Sequence, residues 1–581
     1  MRRLLMFVSL ISVCSSVCIS QIPITAKPGF FKDWGLSMTS VYGLAPVANT
    51  SKRAYSKIWK ADPATVKVQD YDAAGIVTET DVFRFSQGII SQQTRTNEWG
   101  DTFEVDKYTP AGVGQMYVSA LRNGTNTMLP ANQARYIYKL NQLVEIDYLS
   151  ADRKPMNNSS GVAVIRYKRI SSPACFGRVA EMTFFDVDGN PVISTSWDAH
   201  KVVYTYDTRC NGTSQAYYGA DAEPLTNRVG GFMNRYEFDS TDRQTLNQVI
   251  GLNGELTRNS YGTAQARTEY TDGFASRVVR MDTEGHAARM SQAGDGLAII
   301  HYQYDDKGDQ TQVSYFDETD KPLNNTAGIQ TARYVWSPNR MLLRTEYFDL
   351  NGAPTANNSG IHRYDYVRDE KGRVIQTSYF DNAGKPVADN LDEIYMVKYK
   401  YDEAGRSYSK SFWKDADTKM ERWDGSHEHV TVYDADGRAI ELSTFDKDGK
   451  LFVTKAGYSR ITTIYNSLGQ VAEHRYYNDK TPITMAESMV NGFHLIKFTY
   501  DAAGRVSSVA YFASNGDPVN AEIELEGQKY QDQKLEFLYK GNTLIEERFY
   551  KLGNVSPELI LDCLKHDHVT TNGIALGHKN Q

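Results

Sequence analysis

The sequence predicts an all-β protein in which tandem β-hairpins of about 32 residues form one long, twisted antiparallel sheet, coiled as a spiral or an open shell. Three observations support this fold class. A two-part turn motif recurs along most of the chain. Apolar and polar residues alternate between the turns. The composition combines 38 Tyr and 43 Gly with 17 Pro, as expected of aromatic strands joined by glycine turns.

The first part of the motif reads Tyr-Asp-x-x-Gly-Arg and is clearest at 500–505. The second part follows 11 to 13 residues later and reads Tyr-Phe-Asp-x-x-Gly-x-Pro, as at 379–386. From the middle of the chain onward the first part recurs every 30 to 35 residues. It begins at Tyr304, Tyr334, Tyr366, Tyr401, Tyr433, Tyr465 and Tyr500. Such a period is typical of repeat units that bury their apolar faces against their neighbours.

Each Asp-x-x-Gly is expected to be a tight turn, capped by the aspartate and closed by a glycine with positive φ. The turn residues predicted in this way are Asp72, Gly75, Asp305, Gly308, Gly352, Gly372, Asp381, Gly384, Asp402, Gly405, Asp434, Gly437, Asp446, Gly449, Asp501, Gly504 and Gly516. A tight turn makes its flanking strands antiparallel, which favours a sheet of successive hairpins. The alternative is a β-solenoid with one unit per coil.

We divide the chain into four parts. Residues 1–20 have the charged start and short apolar run of a secretory signal peptide, 21–65 form an N-terminal segment or cap, 66–551 hold about fifteen repeats, and 552–581 form a C-terminal cap or tail. The repeats are degenerate before about residue 300. Residues 557–564 are expected to form a short amphipathic helix.

Charge and composition limit the partners and the location. The formal net charge is −7 and no dense Lys/Arg cluster occurs, so we expect no nucleic-acid partner. No stretch after the signal peptide is apolar enough to span a membrane, and a secreted or extracytoplasmic location, in the periplasm or at the cell surface, follows. Val13 and Val17 precede Cys14 and Cys18 where lipoproteins need a small residue, so lipid attachment is not expected.

Cys175 and Cys210 lie in the first turns of consecutive units. Equivalent turns of a hairpin meander are about 10 Å apart, too far for a disulfide, whereas successive coils of a solenoid are about 4.8 Å apart. A bond between these cysteines would therefore favour the solenoid.

The sequence contains only weak motifs for metal binding or catalysis. Asp186-Val-Asp188-Gly and similar segments lack the remaining ligands of a calcium loop, so turns explain them better. His427 and His429 lack identifiable further zinc ligands, and we interpret them as part of an exposed loop. We find no nucleophile elbow and no distinguishable pair of catalytic carboxylates, and we expect no cofactor, no metal and no enzymatic activity.

The Tyr-Asp-x-x-Gly-Arg copies at 401–406, 433–438 and 500–505 resemble the YD repeats of the RHS family. The resemblance implies a hairpin shell outside the cytoplasm, often one that surrounds a C-terminal toxin. The unit here is longer than the usual YD repeat, and nothing after residue 551 is large enough to be a toxin.

The function expected from the sequence is an exported, non-enzymatic scaffold whose extended sheet binds a protein, a glycan or a component of the cell envelope. One alternative is a carbohydrate-active hydrolase with an unrecognised site. Another is an RHS-like shell for a toxin or other cargo.

Overall fold

We describe the protein from a computed structural model. It covers residues 24–26 and 50–562, except 127, 129–130, 132, 141, 173–174, 292–295, 391, 468, 486–489, 502–504, 526–527, 541–542, 554–555 and 558. These residues form two compact units. Unit 1 comprises 1–123, 133–148 and 163–387, and unit 2 comprises 124–132, 149–162 and 388–581. The signal peptide predicted at 1–20 lies outside the described residues.

The described part of unit 1 consists of strands and turns. Its strands are β1 Ile24–Ala26, β2 Tyr55–Asp62, β3 Thr65–Tyr71, β4 Val77–Ser86, β5 Ile89–Asn97, β6 Thr102–Gly112, β7 Gln115–Arg122, β9 Gln133–Lys139, β10 Gln142–Leu149, β11 Val164–Arg169, β12 Val179–Phe185, β13 Lys201–Tyr206, β14 Gly212–Tyr218, β15 Met233–Phe238, β16 Gln244–Ile250, β17 Gln265–Thr271, β18 Phe274–Met281, β19 Ile299–Tyr304, β20 Gln310–Phe316, β21 Thr331–Trp336, β22 Leu342–Phe348, β23 Arg363–Arg368 and β24 Val374–Phe380.

Unit 2 is built in the same way. Its strands are β8 Thr125–Asn126, β25 Met396–Tyr401, β26 Ser407–Trp413, β27 Glu428–Tyr433, β28 Ala439–Phe445, β29 Arg460–Tyr465, β30 Val471–Asn478, β31 Thr481–Pro482, β32 Val490–Asn491, β33 Leu495–Tyr500, β34 Val506–Phe512, β35 Ala521–Leu525, β36 Gln528–Asp532, β37 Lys534–Lys540, β38 Thr543–Tyr550 and β39 Leu559–Asp562.

The strands pair antiparallel, and apart from a separate three-stranded sheet of β32, β35 and β36 they form a long sheet of consecutive hairpins, as the turns predicted. In the hairpin β25–β26, for example, Val397 lies opposite Phe412 and Lys400 opposite Ser409. The register then shifts by one residue before Tyr401, which leaves a bulge at the Asp-x-x-Gly turn. The next hairpin joins antiparallel, since Ser409 pairs with Val430. Equivalent strands of a solenoid would pair parallel, so the solenoid alternative is wrong.

Alternation gives each hairpin two different faces. One face, which we call the tyrosine face, carries Val397, Tyr399, Tyr401, Lys410 and Phe412 in the hairpin β25–β26. The other, the ionic face, carries Lys398 and Lys400 with the ring of Trp413. The same division holds in the other repeats because the register is the same, as in β21–β22, where Tyr334 and Arg333 lie on opposite faces.

The N-terminal strands of unit 1 depart from the 32-residue period. β2 belongs to the 21–65 segment expected to form a cap, yet it pairs with β3 over most of its length. Only two residues separate Ser86 of β4 from Ile89 of β5 along the chain, compared with the long second turns of later repeats. The turns of these early strands contact later turns of the same unit. The Trp99 indole donates to Asn339 O at 2.9 Å, and Arg340 pairs with Asp72 at 3.2 Å.

The C-terminal segment also differs from the sequence interpretation. Leu559–Asp562 is a strand that pairs antiparallel with β38, so the helix expected at 557–564 is wrong. Pairing with the exposed edge of the last hairpin satisfies backbone groups that a lone helical turn would leave to water. The described residues contain no helix that is long and apolar enough to cross a membrane.

Candidate functional site

The same turn geometry recurs along the chain and explains the Asp-x-x-Gly pattern. In the turn that follows β24, Asp381 Oδ1 accepts the backbone N–H groups of Ala383 and Lys385 at 2.9 and 2.8 Å. Gly384 closes the turn at φ +75°, which an L side chain rarely adopts. Asp72, Asp305, Asp402, Asp434, Asp446 and Asp501 accept N–H groups in the same way.

The predicted glycines occupy the corresponding closing positions. The predicted glycines found with positive φ are Gly75, Gly308, Gly352, Gly372, Gly384, Gly405, Gly437, Gly449 and Gly516. Gly504 lies outside the described residues. These turns shape the sheet, and their carboxylates are occupied by backbone donors.

The arginine that ends the first motif connects neighbouring hairpins. Arg438 Nε donates to Asp434 Oδ2 at 2.7 Å, and its guanidinium lies 4.9 Å from the ring centre of Tyr465 in the next hairpin. The Tyr465 hydroxyl donates in turn to Ala439 O at 2.9 Å. We call this arrangement the staple: it couples each hairpin to the next through a charged hydrogen bond, a cation–π contact and a backbone hydrogen bond.

The same three contacts recur at other turns in the described part of the chain. The complete triads are Asp239–Arg243–Tyr270, Asp402–Arg406–Tyr433, Asp434–Arg438–Tyr465 and Asp501–Arg505–Tyr539. Sequence reasoning explained the Asp and the Gly but not the Arg. The sequence held a signal for this contact, because Arg243, Arg406 and Arg438 are each followed 27 residues later by the Tyr of the next hairpin.

On the ionic face, cations cover the aromatic rings that end the second strands. The Arg363 guanidinium lies 3.9 Å from the ring centre of Phe380, and Lys398 Nζ lies 3.6 Å from that of Trp413. Similar contacts involve Phe185, Tyr218, Phe348, Tyr477 and Phe512. Carboxylates such as Asp365, at 2.7 Å from Arg344, neutralise many of the cations on this face.

The tyrosine face of β13–β24 is different because it is almost uncharged. Along β13–β24 the register places no Asp or Glu on it and only two arginines, Arg280 and Arg368. Both donate to backbone carbonyls, Arg280 to Leu297 O and Arg368 to Leu342 O. Burial raises the pKa of Tyr236 to about 12, so its hydroxyl lies in a recessed environment.

A cluster of charged side chains lies on β4, β5 and β6, where the sequence predicted no site. Arg95 is buried and contacts Glu79, Asp81 and Glu104 at 2.8, 3.1 and 2.6 Å. The cross-strand register brings these residues together, since Arg95 lies between Asp81 and Glu104. We call these four residues with Asp106 the carboxylate cluster. The alternating pairs Glu79-x-Asp81, Gln93-x-Arg95 and Glu104-x-Asp106 were a signal for it.

Asp106 is the titrating member of this cluster. Burial and the neighbouring Glu104 raise its pKa to about 7, although Arg95 acts in the opposite direction. One of its oxygens, Oδ1, is buried without a hydrogen-bond partner. Burial alone would lower the pKa of Arg95, yet that pKa is raised because Asp81, Glu104 and Glu79 surround it. A neutral carboxyl beside ionised ones is the arrangement of a general acid next to a base.

Of the two histidines interpreted as part of an exposed loop, His427 lies just before β27 and His429 lies within it. His427 is only 3% exposed, and its Nδ1 is 2.9 Å from Met420 O, so the expectation that it is exposed is wrong. His429 Nε2 lies 2.8 Å from Ser426 Oγ. Both rings pack edge-on against aromatic side chains, which accounts for their burial. Among the described residues no group of three or more His, Cys, Asp or Glu could hold a metal. Asp186 Oδ1 caps its own turn.

Cys175 and Cys210 form a disulfide with their Cα atoms 5.4 Å apart. The bond coexists with antiparallel hairpins, so the expectation that it would favour a solenoid is wrong. A separation of about 10 Å between equivalent turns holds only where the turns have equal length. The turn between Arg169 and Val179 is longer than the turn between Tyr206 and Gly212, and the extra residues carry Cys175 towards the next hairpin.

Comparison with known proteins gives only distant similarity. No family model and no curated protein matches the chain. Among solved structures, TcdB2-TccC3 is 11% identical at a TM-score of 0.40, covering 88% of this chain and 27% of that chain. The Tc holotoxin pore of Photorhabdus luminescens is 10% identical at 0.29, covering 85% and 30%. A porin-like protein from Bacteroides uniformis is 8% identical at 0.12, covering 62% and 94%. TM-scores this low assign no function.

Proposed function

We propose that this protein is an exported, non-enzymatic repeat scaffold that uses its tyrosine face to bind a protein, a glycan or another component of the cell envelope. The observation that carries the proposal is the contrast between the two faces. On the ionic face, cations cover rings and carboxylates pair with cations. The tyrosine face along β13–β24 instead offers hydroxyl and amide groups without carboxylates. Surfaces rich in Tyr and Asn are suited to adaptable, specific contacts.

The staples support a scaffold role because they fix the spacing between hairpins. Two strands at about 4.8 Å each give a repeat distance of about 10 Å. A staple restrains both the turn of one hairpin and the first strand of the next, so the side chains on the tyrosine face are held in a regular row. A preorganised row loses less conformational freedom when a partner binds.

Two features support export. The N-terminal 1–20 segment has the pattern of a signal peptide. The Cys175–Cys210 bond fits an oxidising compartment such as the periplasm or the cell surface.

A hydrolase that uses the carboxylate cluster is the second candidate function. The raised pKa of Asp106 beside Glu104, itself paired with Arg95, favours it. Paired carboxyls with different pKa values cleave glycosidic bonds in many enzymes.

Binding and turnover assays on the full mature chain distinguish the two candidates. The scaffold proposal predicts saturable binding to a glycan or peptide array and no release of reducing sugar from polysaccharide substrates. Asp106→Asn should leave that binding unchanged. Turnover that the wild type shows and Asp106→Asn loses would refute the scaffold and favour the hydrolase.

A further inference from the structure

A cluster of six uncharged polar side chains lies on the tyrosine face of two adjacent hairpins, β13–β14 and β15–β16. We call it the tyrosine–amide cluster. Its members are Tyr204, Gln215, Tyr217, Asn234, Tyr236 and Asn247. The strand register sets their arrangement: Tyr204 lies opposite Gln215 and Gln215 opposite Asn234, while Tyr236 lies opposite Asn247 one row further along.

Hydrogen bonds hold the centre of the cluster. The hydroxyl oxygen of Tyr217 accepts Gln215 Nε2 at 2.9 Å and Asn234 Nδ2 at 3.3 Å. Gln215 and Tyr217 come from one hairpin and Asn234 from the next, and the hydrogen bonds between them restrain these side chains before any ligand binds. This is the preorganisation expected of a binding surface rather than of a loose solvated sheet face.

Other polar atoms of the cluster have no protein partner. Asn247 Oδ1 is buried and accepts no hydrogen bond. The hydroxyl groups of Tyr204 and Tyr236 form no hydrogen bond within the described part of the chain. Burial raises the pKa of both phenols, which agrees with their recessed position. A buried amide oxygen without a donor is unfavourable, and a ligand hydroxyl that donated to it would remove that penalty.

The charged residues on and near the cluster limit which classes of ligand it can bind. The strands β13–β16 place no Lys, Arg, Asp or Glu on this face. Burial, and to a lesser extent the charge of Asp198, raises the pKa of Tyr217, and Asp198 is itself paired with Arg228 at 3.2 Å. An anionic glycan or a nucleic acid would therefore meet no cation here, and a cationic peptide would meet no unpaired carboxylate.

We propose that the tyrosine–amide cluster binds a neutral glycan. Sugar hydroxyls both donate and accept, so they can donate to Asn247 Oδ1 and accept from the hydroxyls of Tyr204 and Tyr236. The apolar face of a pyranose ring can pack on the phenol rings. This inference rests on the proposed scaffold function and names the class of partner.

The test is isothermal titration of the full mature chain with cellohexaose, chitohexaose and mannohexaose. Oligogalacturonate and an uncharged Gly-Ser hexapeptide serve as comparison probes. We expect at least one neutral hexasaccharide to bind, and oligogalacturonate to bind more weakly. Loss of one neutral hydrogen bond corresponds to about a 2- to 10-fold change in affinity. Tyr236→Phe and Asn247→Leu should each weaken binding by that factor.

Matched controls come from the ionic face of the same strands. Thr205 and Gln248 adjoin Tyr204 and Asn247 in sequence but lie on the opposite face. Thr205→Val and Gln248→Leu should leave the affinity unchanged. Circular dichroism of all four variants verifies that the sheet is intact.

Three results would overturn the inference, and they separate it from the scaffold proposal. The first is no binding of any neutral hexasaccharide. The second is binding that Tyr236→Phe and Asn247→Leu do not weaken. The third is tight binding of the hexapeptide that these variants abolish, which would leave the scaffold standing with a different partner. Cleavage of a bound hexasaccharide that Asp106→Asn abolishes would refute the scaffold while glycan binding at the cluster remained supported.

Discussion

Glu547 provides a sharp test of the energetics of the last hairpin, β37–β38. Its side chain is fully buried, and neither carboxylate oxygen has a hydrogen-bond partner. Leu535, Phe537 and Phe549, which surround it in the register, are almost completely buried. The neighbouring hairpin β33–β34 places an apolar residue at the same position, Val509 opposite Phe498. We therefore expect Glu547→Leu to stabilise this hairpin.

The magnitude follows from the pKa of the carboxyl group. Burial raises it from 4.5 to about 7. At about 1.4 kcal/mol for each pH unit, the ionised carboxylate destabilises the folded hairpin by about 3 kcal/mol above neutral pH. The folded pKa exceeds the unfolded one, so stability is highest below pH 4.5 and falls as the pH rises towards 7. Above about pH 7 the penalty is constant.

Hydrogen exchange with mass spectrometry measures this local stability, because a chain of many hairpins need not unfold in one step. Wild type and Glu547→Leu are compared at the same pH, at about pH 5 and about pH 8, in peptides that cover β38. At the higher pH the variant should exchange more slowly, by a factor on the order of one hundred. At the lower pH the difference should be much smaller.

The control is Glu546→Gln on the neighbouring residue. Glu546 is paired with Arg548 on the ionic face, so its replacement should change exchange only slightly. The reasoning is refuted if Glu547→Leu shows the same pH dependence as wild type, or if it exchanges faster than wild type at the higher pH.

The remaining predictions concern the staple, the contact between turns in unit 1, and the disulfide. Tyr465→Phe removes one hydrogen bond between hairpins and should lower local stability by about 1 kcal/mol, measured by hydrogen exchange; an unchanged rate would argue against the staple. Gly372→Ala should destabilise unit 1 more than Gly352→Ala in thermal unfolding. Both glycines have positive φ, but only a Cβ at residue 372 would clash with the indole of Trp99. Equal effects of the two substitutions would contradict that contact. Replacing both Cys175 and Cys210 by Ser should lower stability by about 3 kcal/mol in urea unfolding, and a variant as stable as the oxidised wild type would contradict this.

Much of the fold could be predicted from the sequence because its information is local. An Asp and a Gly three residues apart determine a turn, and alternation determines the faces of the strands on either side. Asp381 and Gly384 illustrate this, since four residues contain the cap, the bend and the positive φ.

The carboxylate cluster could not be predicted in the same way. Asp81, Arg95 and Glu104 lie on three strands, and only the register of two successive pairings brings them together. The burial of His427 also depends on its packing against Trp413, which the residues next to it in sequence do not reveal. The Cys175–Cys210 bond depended on the length of one turn, because an irregular turn changes the distance that a regular repeat would impose.

The staple has a consequence for how the chain can change in length. Its donor, Arg438, belongs to one hairpin, and its acceptor ring, Tyr465, belongs to the following one. Arg406 makes the same contact with Tyr433. If a segment from one Arg to the next were excised, Arg406 would meet Tyr465 with the same chemistry. The joint is therefore interchangeable between copies, and unequal recombination could shorten or extend the array by whole periods while every remaining junction stayed intact.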